Sequence, residues 1–170
     1  RGPGYALRAA LGLFTTLPAR PLDTIDHGTA RAAIAALPWV GLLLGIGSAG
    51  AYLIGALAGA PLLGAVLALV VLAWTTGALH LDGLADTADG LGSRRSNDRA
   101  LDIMKQSDIG PMGVVALVLA LLLEASSVAA LDLRPAAVAV ALGPLLGRLS
   151  IVLATVAAPP ARPGGFGALV

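Results

Sequence analysis

The stretch from Trp39 to Ala58, WVGLLLGIGSAGAYLIGALA, decides the fold because its twenty residues include no charged side chain. A helix needs about 20 mostly apolar residues to cross the hydrocarbon core of a bilayer. Backbone groups in lipid must hydrogen-bond within the segment, and a helix satisfies nearly all of them. The stretch therefore predicts a membrane-spanning helix.

Three further apolar stretches have a similar length, from Leu62 to Leu79, from Met112 to Leu131 and from Ala136 to Ala158. A shorter apolar run from Tyr5 to Leu17 predicts an interfacial or half-buried helix at the N-terminus. The sequence thus predicts an all-α, polytopic membrane helix bundle with about four spanning helices. Residues 1–170 form a single membrane-embedded domain in this interpretation.

The composition agrees with a membrane protein. The chain is 57% hydrophobic and 12% charged, whereas a soluble domain carries about 25% charged residues. Its net charge of +1 provides no bulk positive field for nucleic acid. The absence of cysteine excludes disulfides and thiolate chemistry.

Small residues recur at every fourth position in the first span, at Gly47, Ala51, Gly55 and Gly59. Small side chains at this spacing allow two membrane helices to approach closely. The pattern predicts a packing face, although an alanine- and glycine-rich composition also produces such spacing by chance.

The basic residues predict the orientation of the chain. Nine of the eleven basic residues lie before the first span, in residues 80–111 or after the last span: Arg1, Arg8, Arg20, Arg31, Arg94, Arg95, Arg99, Lys105 and Arg162. Of the other two, Arg134 would lie on the opposite side of the membrane and Arg148 inside a span. Basic loops remain on the cytoplasmic side. We therefore expect a multi-pass protein of the cytoplasmic (inner) membrane whose long polar loop, residues 80–111, faces the cytoplasm.

That polar loop begins with an acidic pattern. Asp82, Asp86 and Asp89 are spaced i, i+4 and i+7, which places them on one face of a helix. Oxygen ligands at this density suit a hard cation such as Mg²⁺ or Mn²⁺. The alternative is a solvated acidic face, but the residues between the aspartates are small or apolar, which favours a metal site. His80 has three candidate roles: metal ligand, general base or interfacial polar residue.

Basic side chains follow the acidic pattern. Arg94, Arg95 and Lys105 are suited to bind the phosphates of a diphosphate substrate beside a metal ion. Arg148 is costly inside a span unless it pairs with Glu124 or with a bound phosphate. The alternative for the loop residues is that they serve only as determinants of topology.

A second acidic cluster follows at Asp98, Asp102 and Asp108. One of these carboxylates, Asp108 in particular, is a candidate to complete the metal shell or to act as a base. The alternative is that all three are solvated surface residues.

Two family resemblances bear on this segment. Residues 86–94, DTADGLGSR, resemble the first half of the CDP-alcohol phosphotransferase signature, which implies metal-dependent displacement of a nucleoside monophosphate by an alcohol. The second half of that signature is missing. A longer resemblance is to the cobalamin synthase family, the adenosylcobinamide-GDP ribazoletransferases, and it covers residues 14–18, 38–41, 76–90, 101–105, 109–117, 147–150 and 161–165.

The second resemblance implies the reaction. Its substrates would be adenosylcobinamide-GDP and α-ribazole or α-ribazole 5′-phosphate, and its products adenosylcobalamin or its 5′-phosphate and GMP. Mg²⁺ would be held by Asp82, Asp86 and Asp89, with Asp108 as a further ligand. A carboxylate or His80 would accept the proton of the attacking ribose hydroxyl. The substrate phosphates would contact four basic residues: Arg94, Arg95, Lys105 and Arg148.

The chain departs from the family pattern in two places. Gln106-Ser107-Asp108 stands where the family more often has Asp-Ser-Arg, so a carboxylate is displaced by two positions. The family also continues with further apolar helices, so we expect a C-terminal continuation after Val170. A homo-oligomer and contacts with other enzymes of the corrinoid pathway are additional expectations. A cation-coupled transporter and a non-catalytic scaffold are the rival interpretations.

Overall fold

The structure, a computed structural model, describes residues 2–22, 24–161 and 166–170, and their regular secondary structure is entirely helical. Arg1 and Arg162 lie outside the described residues, as does most of the 161–165 segment. The elements are α1 (Pro3–Phe14), α2 (His27–Leu57), α3 (Pro61–Thr75), α4 (Leu79–Gly92), α5 (Asn97–Ile103), α6 (Pro111–Ala129), α7 (Leu133–Ala157) and a 3₁₀ helix (Phe166–Leu169). The predicted all-α membrane bundle is confirmed.

Helices α2, α6 and α7 are each long and apolar enough to cross a membrane. Helix α3 has only 15 residues and joins α4 through a break that bends the chain by 91°. The predicted spans correspond to α2, α3, α6 and α7, but α2 begins earlier than Trp39. Asp26 explains this early start because its carboxylate accepts a hydrogen bond from the Thr29 N–H at 2.7 Å.

The α2–α7 contact forms the centre of the bundle. A Cβ atom on Gly45 would overlap the carbonyl of Ala141, and one on Gly41 would overlap the carbonyl of Pro144. The two backbones therefore touch directly at these glycines. Such close approach stabilises membrane helices through van der Waals contact.

Of the three glycines in the packing face predicted from the sequence, only one lies at a close contact between helices. Gly55 packs against the backbone of Gly64 in α3, whereas Gly47 and Gly59 have open space around them. The face that contacts α7 instead contains Gly41 and Gly45. Glycine spacing alone predicted a close-contact face but did not select the right register.

The end of the described chain returns to its beginning. The ring of Phe166 meets that of Phe14 edge-on, with 5.5 Å between centroids, and Arg31 Nε donates to the Val170 carbonyl at 2.9 Å. The start of α2 and the residues after α7 therefore lie at the same end of the bundle. Three crossings would leave these two segments at opposite ends, and the bent pair of α3 and α4 is long and apolar enough together to count as a fourth span.

Residues 80–111, predicted as one long polar loop, are largely helical because they contain α4 and α5. They lie at the end of the bundle that carries the N-terminus. The contact that shows this is a hydrogen bond from the Thr16 N–H, just after α1, to the Thr75 carbonyl at 2.8 Å.

A carboxylate-lined cleft at one end of the bundle

The bend between α3 and α4 orients the acidic helix. Gly77 and Ala78 have φ angles of 58° and 59°, both in the left-handed region. Glycine adopts this conformation without strain, while an alanine there costs about 1–2 kcal/mol. The bend directs α4 away from the axis of α3 and carries its aspartates across the end of the bundle.

A cleft of about 270 Å³ lies between α4 and the turn that precedes α6. Asp82 and Asp86 line it from α4, and Asp108 lines it from the turn. The structure thus brings together three of the four carboxylates predicted as metal ligands. The full lining is Ala78, Leu81, Asp82, Ala85, Asp86, Gln106, Ser107, Asp108, Ile109 and Leu117.

Gln106 and Ser107 line the same cleft, although neither was predicted as a site residue. Both are neutral, and they lie in the turn where the sequence departs from the family pattern. That departure was the signal for these two residues in the sequence, because it marked the polar residues of this turn as candidates for the site.

Asp89, the fourth predicted carboxylate, lies outside the lining of the cleft and contacts the start of α6. Its Oδ2 accepts a hydrogen bond from the Gly110 N–H at 2.7 Å, and its Oδ1 accepts one from the Gly113 N–H at 2.8 Å. These two N–H groups lie at the end of a helix, where no intrahelical carbonyl is available to them. A side chain at Gly110 or Gly113 would collide with the carboxylate, so this contact requires glycine at both positions.

The electrostatics of the cleft favour a cation. Burial raises the pKa of the Asp86 carboxyl, and the negative charges of Asp82 and Asp89 raise it further. A bound cation would relieve this repulsion.

The donor set of the cleft fits Mg²⁺. Within residues 2–22, 24–161 and 166–170, no three His, Cys, Asp or Glu side chains are grouped closely enough to hold a metal ion by themselves. Mg²⁺ commonly uses one or two carboxylates, keeps several waters and completes its shell with substrate phosphates. Asp82 and Asp86 together meet that requirement.

The predicted phosphate-binding residues occupy different places. Arg94 and Arg95 are exposed in the turn after α4, about two helical turns beyond Asp86. Lys105 follows α5, and its Nζ lies 3.5 Å from Asp102 Oδ1. None of these residues lines the cleft, so each would contact a substrate that extends beyond it.

A second cavity, of about 150 Å³, contains the remaining predicted site residues, His80 and Arg148. Glu124 and Thr76 line it too, and Leu81 lines both cavities. Burial lowers the pKa of His80, and the positive charge of Arg148 lowers it further. Both effects favour the neutral imidazole.

The fold and the cleft define a polytopic membrane protein with a polar helix bent across one end of its bundle. The chain matches the CobS family, cobalamin-5-phosphate synthase, over residues 6–170, and it belongs to that family. The resemblance to the cobalamin synthase family is thereby confirmed.

Curated relatives carry a consistent name. Proteins called adenosylcobinamide-GDP ribazoletransferase are 41% identical to this chain in Frankia casuarinae, 43% in Bradyrhizobium diazoefficiens and 42% in Pseudomonas aeruginosa. The first two matches cover 96% and 95% of this chain but 63% of each relative, and the third covers 95% of this chain and 66% of the relative. The chain therefore spans slightly less than two thirds of the first two relatives. No solved structure matches the chain.

Proposed function

We propose that this protein is a Mg²⁺-dependent adenosylcobinamide-GDP ribazoletransferase that acts in the last steps of cobalamin biosynthesis. The observation that carries the proposal is the cleft in which Asp82 and Asp86 face Asp108, in a chain that belongs to the CobS family. The substrates would be adenosylcobinamide-GDP and α-ribazole or α-ribazole 5′-phosphate.

In the proposed reaction a ribose hydroxyl oxygen of the α-ribazole substrate bonds to the phosphorus that carries cobinamide. The bond from this phosphorus to the bridging oxygen breaks, and GMP leaves with that oxygen. The hydroxyl proton passes to a carboxylate. Asp108 suits this last role because it is exposed and lines the cleft from the turn opposite α4, whereas His80 lies in the neighbouring cavity.

Asp82 and Asp86 would hold Mg²⁺, with Mn²⁺ as a substitute. The ion would supply charge neutralisation at the diphosphate. Asp89 would orient α4 through its bonds to α6, although each of its oxygens retains a lone pair for a ligand. Positioning and electrostatic stabilisation would provide most of the rate enhancement in such a transfer.

The basic residues would bind the outer parts of the substrate. Arg94, Arg95 and Lys105 are exposed and would contact the nucleotide phosphates where the substrate extends beyond the cleft. Arg148, in the adjoining cavity, would bind a phosphate that reaches into the bundle. A guanidinium binds phosphate oxygens in a bidentate manner, which fixes the direction of the substrate.

The proposed location is the cytoplasmic membrane, with α4 and α5 on the cytoplasmic side. The N-terminus and residues 80–111 lie at the same end of the bundle and carry most of the basic residues, which favours that side. The acidic pattern occurs only once in the sequence, whereas a transporter built from repeats would more often show it in both halves.

The test uses the full-length protein in lipid vesicles, supplied with adenosylcobinamide-GDP, α-ribazole and Mg²⁺. We expect release of GMP that stops when Mg²⁺ is chelated and falls by about 100- to 1,000-fold in Asp86→Asn, the range for a lost electrostatic contact in a transfer site. Asp98→Asn is the matched control, since Asp98 is exposed on α5 outside the cleft.

The rival functions give other results. Full turnover in Asp86→Asn contradicts the metal assignment. Cation flux across the vesicle membrane without GMP release supports a transporter. GMP release from a CDP-alcohol phosphotransferase would not be expected, because that class releases CMP.

A further inference from the structure

Thr16 connects the N-terminal helix to the end of α3. Its N–H donates to the Thr75 carbonyl at 2.8 Å, and its Oγ1 donates to the Trp74 carbonyl at 3.0 Å. The last carbonyls of a helix have no donor in a following turn of the same helix, and the Trp74 carbonyl here also accepts from the Gly77 N–H at 3.2 Å. Thr16 therefore caps α3 from a segment almost 60 residues earlier in the chain.

The methyl group of Thr16 also contacts the bend itself. A Cβ atom on Gly77 would lie 3.2 Å from Thr16 Cγ2, which is closer than nearly all real contacts of this kind. The φ angle of Gly77 is 58°, so this position demands glycine for its conformation as well. Thr16 thus holds the last residues of α3 by hydrogen bonds and limits the space beside the bend.

The bend needs such support because Ala78 is held in the left-handed region. A strained backbone conformation persists only where the surrounding contacts determine it. Asp89 anchors the other end of α4 through Gly110 and Gly113. Thr16 contacts the chain just before the N-terminal end of α4, at Trp74, Thr75 and Gly77.

We infer that Thr16 is a positioning residue that sets the direction of α4 and thereby places Asp82 and Asp86 in the cleft. Thr16 itself does not line the cleft. The inference deepens the proposed function and rests on it for its kinetic consequence. Its structural consequence is measurable without any turnover.

The structural test places two cysteines in residues 1–170, which contain none of their own, with any cysteine elsewhere in the full-length protein replaced by serine. Spin labels on Thr87→Cys in α4 and Ser150→Cys in α7, both exposed, report the distance between the acidic helix and the bundle. We expect Thr16→Val to broaden or shift this distance distribution in the full-length protein in lipid, because it removes the Oγ1 bond. Thr16→Ser keeps the hydroxyl and should retain the parental distribution.

Thr15→Val is the matched control. The Oγ1 of Thr15 donates to the Leu11 carbonyl at 2.7 Å and accepts from the Leu17 N–H, so its contacts remain within the N-terminal segment. The same substitution one residue away should leave the distance distribution unchanged. An equal effect of Thr15→Val and Thr16→Val would overturn the inference.

The kinetic test separates positioning from general stability. In Thr16→Val we expect kcat to fall by about tenfold or more, with a raised Mg²⁺ requirement, because small displacements of a site cost rates of this order. The KM for α-ribazole should change little. Thr16→Ser should restore the parental kcat, and a valine variant with parental kcat contradicts the positioning role.

Gly77 offers a second, independent readout. Gly77→Ala should impair kcat because its Cβ atom meets the Thr16 methyl group. Thr16→Ser removes that methyl group, so the double variant should be at least about twofold more active than Gly77→Ala alone, as expected for coupled neighbours. A double variant no more active than Gly77→Ala alone overturns the inference.

The outcomes distinguish this inference from the proposed function. A parental distance distribution in Thr16→Val overturns the anchor whether or not GMP is released. A broadened distribution in Thr16→Val, combined with a parental protein that releases no GMP, supports the anchor and overturns the proposed function.

Discussion

The α2–α7 contact and the α4 helix are held in place by opposite means. In the first, Gly41 and Gly45 allow two backbones to touch, and any side chain there would intrude. In the second, Thr16 and Asp89 reach across to backbone groups of α3 and α6. The packing of the spanning helices thus depends on glycines, which have no side chain, while the position of α4 depends on the polar side chains of Thr16 and Asp89.

This difference separates folding from function. A side chain added at the glycine contact should destabilise the bundle, because rigid backbones cannot move apart without losing many contacts. A change in the cleft should leave the bundle intact and remove its chemistry.

Replacing Gly45 by leucine should have the largest effect on stability. The new side chain would meet the Ala141 carbonyl, and we expect a loss of about 3 kcal/mol or more, at the upper end for overpacked positions. Thermal unfolding of the purified protein in detergent measures it. Gly47→Leu is the control because Gly47 has open space around it, and an equal loss there would refute the packing account.

Asp89→Asn should destabilise the α4–α6 contact by about 1–3 kcal/mol, the usual range for a lost hydrogen bond with a charged acceptor. The control is Asp132→Asn, since Asp132 precedes α7 without a side-chain capping bond. Thermal unfolding compares the two variants. Affinity for Mn²⁺ should fall far less in Asp89→Asn than in Asp86→Asn, and an equal fall would make Asp89 a direct ligand.

The raised pKa of Asp86 predicts how cation binding depends on pH. Protons and the cation compete for the carboxylate, so Mn²⁺ affinity should fall by about tenfold per pH unit below that pKa. The decline should begin at a higher pH than for an aspartate with an ordinary pKa. Binding titrations of the full-length protein at several pH values measure it, and a flat profile would contradict the assignment.

Lys105→Ala should have the smallest effect on stability. Its ion pair with Asp102 is exposed, and such pairs contribute between 0 and about 1 kcal/mol. If Lys105 binds substrate phosphate, the KM for adenosylcobinamide-GDP should rise about tenfold while the melting temperature stays the same. Asp102→Asn removes the pair from the other side and should leave KM unchanged. A rise in KM in both variants would mean that the ion pair, and not Lys105 alone, matters.

The sequence predicted the elements whose causes are local. A charge-free run such as Trp39 to Ala58 permits few structures in lipid, so the spans were predictable in number and approximate position. Helical periodicity likewise placed Asp82 and Asp86 on one face. These predictions required no knowledge of distant contacts.

The features that the sequence did not predict depend on contacts between distant segments. The bend at Ala78 uses a conformation that alanine seldom adopts, and Thr16, in the segment after α1, bonds to the end of α3 just before it. Asp108 was predicted as a candidate ligand, but its place opposite Asp82 depends on how the turn before α6 lies against α4, which spacing alone does not give. Spacing also favoured Gly47 as a packing residue, although it lies in open space.

Asp86→Asn should weaken cation binding without lowering the stability of the cation-free protein. An unfolded carboxyl ionises at its ordinary pKa, and the folded Asp86 ionises at a higher pH. Between these two pKa values the folded state binds the additional proton, so the stability from this group increases as the pH falls. At neutral pH the ionised carboxylate opposes folding, and Asp86→Asn should not lower the melting temperature of the cation-free protein.

Mn²⁺ binding to the full-length protein in lipid, measured by electron paramagnetic resonance, is the direct test of the cleft as a divalent-cation site. We expect saturable binding that Mg²⁺ displaces, weakened at least about tenfold in Asp86→Asn and unchanged in Asp98→Asn. Parental binding in Asp86→Asn, or equal losses in the two variants, would contradict the assignment of the cleft as a divalent-cation site.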